Sequence, residues 1–279
     1  MKGDTLGPYR KKLFAIAYRM LGSAADAEDV LQDAWIRARE QRDIANMEAW
    51  LVTTVSRLCL DRLKSARAKR ETYVGPWLPE PVAVSDEIDR ESVSLAFLAL
   101  LERLSPMERA VFLLRKVFEL DHAEIAAALG IGEAAARQTF HRAKEHVAEG
   151  RPRFAPSREA HARMLVAFVT ACQAGDVQGL QRLLADDVMA TTDGGGKVRA
   201  ARNVLRGADA VARFFTGIAR KSWNQGYAPE LRDVNGWPAV LLLRGADVYA
   251  VLAIETDGER VYSVQTVSNP DKLRGLQSH

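Results

Sequence analysis

The chain has 279 residues, of which 48% are apolar and 27% charged, with a formal net charge of +3. That length suits two or three compact units rather than one, and the composition excludes a disordered or fibrous chain. The net charge is too small to imply nucleic acid by itself, so the placement of basic residues matters more than their sum.

Cys59 and Cys172 both fall in apolar helical patterns, which argues against a disulfide framework or a thiolate metal site and fits a reducing cytosol. Met1-Lys2-Gly3-Asp4 lacks a signal-peptide pattern, and no apolar run reaches the roughly 20 residues needed to span a bilayer. A cytoplasmic protein with no membrane partner is expected.

Residues 1–72 form the first expected unit. Leu13, Ile16, Ala17 and Met20 line one helical face, and Val30, Ala34 and Ala38 line another. Ser23 followed by Asp26 marks a helix start, and Asn46 can cap a third helix carrying Trp50, Val55, Leu58 and Leu63. Gly75-Pro76-Trp77-Leu78-Pro79-Glu80-Pro81 cannot continue a helix, because its prolines fix φ and lack donors. It reads as an extended linker, assigned to residues 73–86.

A second helical unit is expected over residues 87–151. Ser105-Pro106-Met107-Glu108 combines an N-cap, a proline at the first helical position and a reciprocal acidic cap, and Asp121 with Glu124 repeats the device. A short capped helix ending at Leu129-Gly130, a tight turn and a longer helix from near Glu133 make a helix-turn-helix. In its second helix Ala136, Phe140, Ala143 and Val147 can face the core, leaving Arg137, Gln138, His141, Arg142 and Lys144 outward for a major groove and its phosphates. The plain alternative is a pair of packed helices with a solvated charged face.

Beyond Pro156 the pattern changes. Helices near 158–174, 177–185 and 207–220 precede apolar strand-like runs at Ala239–Leu243, Val248–Ile254 and Val261–Val267, with Asp257-Gly258 as a hairpin signal between the last two. Residues 158–279 are therefore expected to form an α+β domain.

The chain resembles the extracytoplasmic-function sigma factors of RNA polymerase through Leu104-Ser105-Pro106-Met107-Glu108-Arg109 and through the run from Asp26 to Trp35. The resemblance implies that the first unit is like sigma region two, which binds polymerase and opens the downstream promoter element. The second is like region four, which reads the upstream element. Core RNA polymerase and promoter DNA are then the expected partners. Asp26, Glu28, Asp29 and Asp33 lie where the family docks on the polymerase clamp helices; alone they would be ordinary helix-start acids. Opening a promoter needs a basic surface for the single strand and a scaffold for an unstacked base. Arg57, Arg62, Lys64, Arg67, Lys69 and Arg70 offer the surface, and Asp61 a base-edge acceptor. The recognition helix departs from the family in lacking a second arginine near Thr139, so the promoter sequence does not transfer.

The C-terminal segment looks like the nuclear-transport-factor-like or polyketide-cyclase-like fold, a cone with a curved, mostly antiparallel sheet that holds small apolar ligands in many proteins. The strings Trp77-Leu78-Pro79-Glu80-Pro81, Asp193-Gly194-Gly195-Gly196-Lys197 and Asn269-Pro270-Asp271-Lys272-Leu273 are similar to a sigma subgroup with this fusion. That similarity implies a regulatory role for Trp77, Pro79, Asp193, Gly195, Lys197, Asn269, Pro270, Asp271 and Leu273. On mechanical grounds the linker and C-terminal strings are expected to dock together, which would set the spacing of the two DNA-binding units. The glycine run lacks a full P-loop pattern and reads as a hairpin or strand-edge loop.

Asp186, Asp187 and Asp193 could supply acid-base chemistry only if they lined the cone; the first pair reads more plainly as a surface helix end. His122, His141, His146 and His161 have no metal spacing, and no catalytic residue, metal or cofactor is expected. The resulting architecture is multidomain: two all-α sigma domains followed by an α+β cone. A small-molecule ligand in the cone and a monomeric free state complete the expectation. The competing readings are a DNA-addressed ligand sensor or enzyme that uses the cone, and a repressor that works without polymerase.

Overall fold

The computed structural model describes residues 7–41, 43–83, 94–148, 156–223 and 225–277, leaving aside the side chains of 66–71, 148 and 223. The chain divides into two compact units. One takes Met1–Thr72, Ser85–Val93 and Phe97–Arg151; the other takes Tyr73–Val84, Ser94–Ala96 and Pro152–His279.

Helices α1 (Arg10–Leu21), α2 (Ala24–Glu40) and α3 (Met47–Glu71) open the first unit. Ser23 caps α2 by accepting from the Asp26 amide at 3.2 Å, as its sequence position predicts. Leu13, Ile16, Ala17 and Met20 are fully buried, together with Val30, Ala34, Leu51 and Val55. The three helices therefore close over one apolar seam.

Helix α4 (Leu95–Leu101) precedes α5 (Pro106–Lys116), α6 (His122–Leu129) and α7 (Glu133–Ala148). Ser105 and Glu108 form the reciprocal capping box on α5, and Asp121 and Glu124 form another on α6. Gly130 ends α6 at φ 69°, a left-handed position that costs glycine little. Ala136, Ala143 and Val147 of α7 are buried and Phe140 stacks on Phe112 with centroids 6.3 Å apart. This is the expected helix-turn-helix.

Two side chains of the first unit reach far in sequence. Arg109, 2% exposed, donates to the carbonyls of Leu101 at 2.9 Å and Met20 at 2.7 Å and pairs with Glu102 at 2.6 Å. Burial pulls its pKa down to about 9, so it remains a cation at neutral pH. Arg57 of α3 donates to the carbonyls of Ala128 at 2.8 Å and Ala127 at 3.2 Å, satisfying the C-terminal end of α6.

In the second unit, α8 (Arg158–Ala174), α9 (Val177–Leu183) and α10 (Ala208–Trp223) accompany β1 (Leu184–Asp193), β2 (Leu205–Arg206), β3 (Ala228–Val234), β4 (Trp237–Arg244), β5 (Asp247–Thr256) and β6 (Val261–Val267). They form one six-stranded sheet in the order β2-β1-β6-β5-β4-β3, antiparallel except where β1 runs parallel to β6. This is the expected α+β cone. Phe168 of α8, Phe215 of α10 and Val188, Ile254 and Val264 of the sheet fill its core.

Three strands, β1, β2 and β3, are not anticipated by the sequence patterns. The helix expected to run to residue 185 stops at Leu183, and Asp186 and Asp187 sit exposed on β1, where its register against β6 shifts. An amphipathic run with alternating burial on one side of a bulge mimics the end of a helix at this length.

Candidate functional site

Three groups of the residues singled out in the sequence come together, and each occupies a distinct place. The first is the acidic face of α2. Arg62 of α3 lies 3.2 Å from Asp29, 3.2 Å from Asp33 and 3.6 Å from Asp26. Partial burial opposes its charge, yet hydrogen bonds to Asp29 and Asp33 hold its pKa above the ordinary value. Glu28 instead meets Arg10 at 2.7 Å. One arginine thus faces three carboxylates, which leaves an acidic surface able to meet a basic partner.

On α3 itself, Asp61 and Lys64 are both well exposed and 3.6 Å apart. Arg57 is engaged with the α6 carbonyls, as described above, and the side chain of Arg67 lies outside the described residues together with those of Lys69 and Arg70.

The second group is the outer face of α7. Arg137, Gln138, His141, Arg142 and Lys144 are all exposed, whereas Thr139 is 6% exposed. Arg137 pairs with Glu133, one turn earlier. Arg142 and His146 approach Glu108 of the α5 capping box at 3.9 and 3.5 Å. Burial raises the Glu108 pKa, but the cap bonds to Ser105 and these two neighbours bring it below the usual carboxylate value. The face therefore offers donors of the kind that read base edges and phosphates, on a helix whose opposite side is fixed in a core.

The third group centres on Asp193, at the end of β1 and fully buried. Its Oδ1 accepts from the Tyr73 hydroxyl at 2.5 Å and the Gly195 amide at 3.0 Å. Its Oδ2 accepts from the Leu78 amide at 2.9 Å and pairs with Lys272 Nζ at 2.7 Å. Every lone-pair direction of the carboxylate has a donor, the arrangement a buried charge requires. Lys272 also donates to the Leu78 carbonyl and lies over the Trp77 ring, 3.9 Å from its centroid.

Asn269 closes the ring. Its Nδ2 donates to the Tyr73 oxygen at 2.9 Å, while its Oδ1 accepts from the Asp271 amide at 3.1 Å and so caps the short turn Pro270–Lys272. Burial, then the bond to Asp193, push the Tyr73 pKa well up, so the phenol keeps its proton and remains a donor. A Cβ at Gly195 would overlap the Asn269 carboxamide, and φ there is +61°. The glycine run is thus a close-approach loop rather than an anion cradle. Lys197 pairs with Asp271 at 2.5 Å, which holds the Asp271 pKa low.

Trp77, Pro79, Asp193, Gly195, Lys197, Asn269, Pro270, Asp271 and Leu273 are thereby gathered into one neighbourhood, with Leu78, Pro79 and Leu273 buried. Further along, Val82 exchanges hydrogen bonds with Asn235, and Ala83 bridges to Val234. Residues 73–83 are therefore a strap fastened to the C-terminal domain at two points. Tyr73, Leu78 and Lys272 carry this lock: Leu78 and Lys272 lie in the two strings expected to dock but are not singled out individually there, and Tyr73 lies outside both strings. A buried aspartate in need of donors is the signal that points to them, and that burial is not visible before β1 is known.

Among the described residues no group of histidine, cysteine, aspartate or glutamate side chains could hold a metal ion, and no helix is long and apolar enough to cross a membrane.

Comparison with known proteins agrees with this division. A sigma-70 region 2 model matches residues 6–69, and a sigma-70 region 4 model matches residues 94–147. The chain is 38% identical to the ECF RNA polymerase sigma factor SigJ of Mycobacterium tuberculosis, over 95% of this chain and 91% of that protein. It is 32% identical to the probable ECF RNA polymerase sigma factor SigI of the same species, over 97% of this chain and 94% of that protein. The crystal structure of SigJ superposes with a TM-score of 0.78 at 35% identity, covering 95% of this chain and 96% of the other.

Proposed function

Since the chain belongs to the extracytoplasmic-function sigma factors, which bind core RNA polymerase and direct promoter-dependent initiation, we propose that it divides that work between its two helical surfaces and places it under control of its linker strap. The acidic face of α2, with Asp26, Glu28, Asp29 and Asp33, docks on polymerase. Arg62, which bridges three of these carboxylates, sets how much negative charge the docking surface presents.

Promoter contact falls to α7 and α3. Arg137, Gln138, His141, Arg142 and Lys144 meet the upstream element in the major groove. Lys64, Arg67 and Asp61 meet the opened strand, joined by Arg57 and Arg62 once these leave their present partners. The protein acts in the cytoplasm, is a monomer when free, and carries out no chemical step of its own.

The observation that carries the regulatory part is the Asp193 lock. The chain that links the two promoter-binding segments is held to the C-terminal domain by a buried ion pair, a tyrosine hydroxyl and a backbone amide. Fastening that chain limits the separations the two helical segments can adopt, and releasing it widens them.

Transcription from a mapped cognate promoter with purified core polymerase tests the whole reading. The full chain is compared with Asp193→Asn and with a chain ending near Gly150. Polymerase-dependent initiation that differs between full chain and Asp193→Asn is the expected result. Initiation with identical promoter choice and yield would remove the lock from the mechanism, and no initiation by any folded form would remove the division of labour.

A further inference from the structure

The cone of the C-terminal domain holds a half-open cavity of about 550 Å³ lined by α8, α10 and the sheet, within the range of small-molecule sites. Its body is apolar and ring-lined: Phe168, Phe214, Phe215 and Tyr249 contribute aromatic faces, backed by Leu242 and Leu252. Cys172 also lines it, and burial pushes that thiol up to about 12, so the wall there is neutral.

Charge in the lining is one-sided. Arg199 and Lys221 both border the cavity, and no aspartate or glutamate does so among the described residues. Neither cation has a hydrogen-bond or ion-pair partner among the described residues. The Thr266 hydroxyl, also in the lining, is shielded from solvent and has no hydrogen-bond partner among the described residues, although a buried hydroxyl ordinarily finds one.

Gly217 adds an independent mark. It lies inside α10, where glycine costs about 1 kcal/mol relative to alanine, and it borders the cavity with nothing within 4 Å of where its Cβ would stand. A side chain there would improve the helix and consume the space.

From these features we infer that the cavity is a binding site for a monoanionic small molecule with an apolar, ring-bearing body, its acid group held by Arg199 and Lys221 and a polar atom reaching Thr266. The aromatic walls take the body, and a charge-assisted pair at the rim selects acids over neutral analogues of the same shape. This site is independent of promoter recognition: its failure would leave the sigma assignment untouched.

The probe pair is 1-anilinonaphthalene-8-sulfonate and N-phenyl-1-naphthylamine, which share a ring system and differ in the sulfonate. Fluorescence titration of the full-length chain is expected to show one saturable site for the sulfonate. Arg199→Gln with Lys221→Gln weakens it about tenfold or more while the neutral probe changes less than about threefold. Gly217→Leu weakens both probes. Because both cations are exposed, the double variant keeps its fold, which thermal melting verifies, and it decides the matter alone if Gly217→Leu unfolds. Absence of saturable sulfonate binding, equal response of the two probes to loss of the cations, or indifference of both probes to a folded Gly217→Leu would each overturn the proposal.

Discussion

Asp193→Asn is the most informative single change, because it keeps the shape of the lock and removes its charge. The carboxamide oxygen can still accept one pair of bonds, from Tyr73 and Gly195 or from Leu78 and Lys272, but its NH2 group must then face a donor of the other pair: the Leu78 amide and the Lys272 ammonium in the first case, the Gly195 amide in the second. Removing one partner of a buried ion pair costs about 3–5 kcal/mol. The Lys272 side chain retains 11% exposure, so water restores part of its solvation and the low end applies, about 3 kcal/mol. At about 1.4 kcal/mol per factor of ten, the strap should open roughly 100-fold more often. Hydrogen exchange at the Leu78 amide reads this directly, since that N–H is bonded to the carboxylate. Acceleration of about 100-fold at Leu78, with the amides of β4 and β5 changed far less, is expected. A change below about threefold would refute the claim that this charge pair holds the strap. Equal acceleration throughout the sheet would mean that the domain, not the strap, had been weakened.

Arg109→Met should lower the stability of the helical unit by about 3 kcal/mol, measured by urea unfolding, because it leaves Glu102 and the Met20 and Leu101 carbonyls without their shared donor. Arg57→Ala should cost about 1–2 kcal/mol in the same assay through loss of the two α6 carbonyl bonds. His161 supplies a pH test. Burial holds its imidazole below the ordinary value while Nε2 lies 3.1 Å from the Ile254 carbonyl. The unfolded chain therefore binds the extra proton first, so its contribution is complete above about pH 6.5 and is lost as pH falls from there through the lowered folded value. Glu255, which burial raises to about 7, works in the opposite direction, its contribution fading as pH rises from about 4.3 to about 7. Comparing melts of the unaltered chain and His161→Gln between about pH 7.5 and 5.5 isolates the histidine: acid loss should be smaller in the variant, and parallel curves would exclude it. Arg137→Ala and Gln138→Ala should each weaken upstream-element binding by about 1–3 kcal/mol with no change in melting temperature.

The C-terminal string is better probed by substitution than by truncation. Leu273 and Leu276 are buried, and the Gln277 carboxamide exchanges hydrogen bonds with the Val248 backbone at the start of β5. Removing everything from Asn269 onward would take packing as well as the lock.

Local chemistry alone determined a large part of this protein. Ser23, Ser105 and Asp121 cap helices because their side-chain oxygens lie three residues before amides without intrahelical partners. The spacing of Ala136, Ala143 and Val147 separates the buried face of α7 from Arg137, Gln138 and His141. The prolines of 76–81 excluded a helix there, and Asp257-Gly258 foretold the β5–β6 hairpin. Only the tertiary structure decided the rest. β1 pairs in parallel with β6, some seventy residues away in sequence, so its strand character depends on a neighbour that no local window contains. The same strand buries Asp193, and a buried carboxylate must collect donors from wherever the chain can bring them: Tyr73 and Leu78 from one side, Lys272 from the other. Arg57 shows the limit in reverse: its type and position suit a nucleic-acid surface, yet in this structure it satisfies the end of α6, because exposed helix-terminal carbonyls attract the same guanidinium.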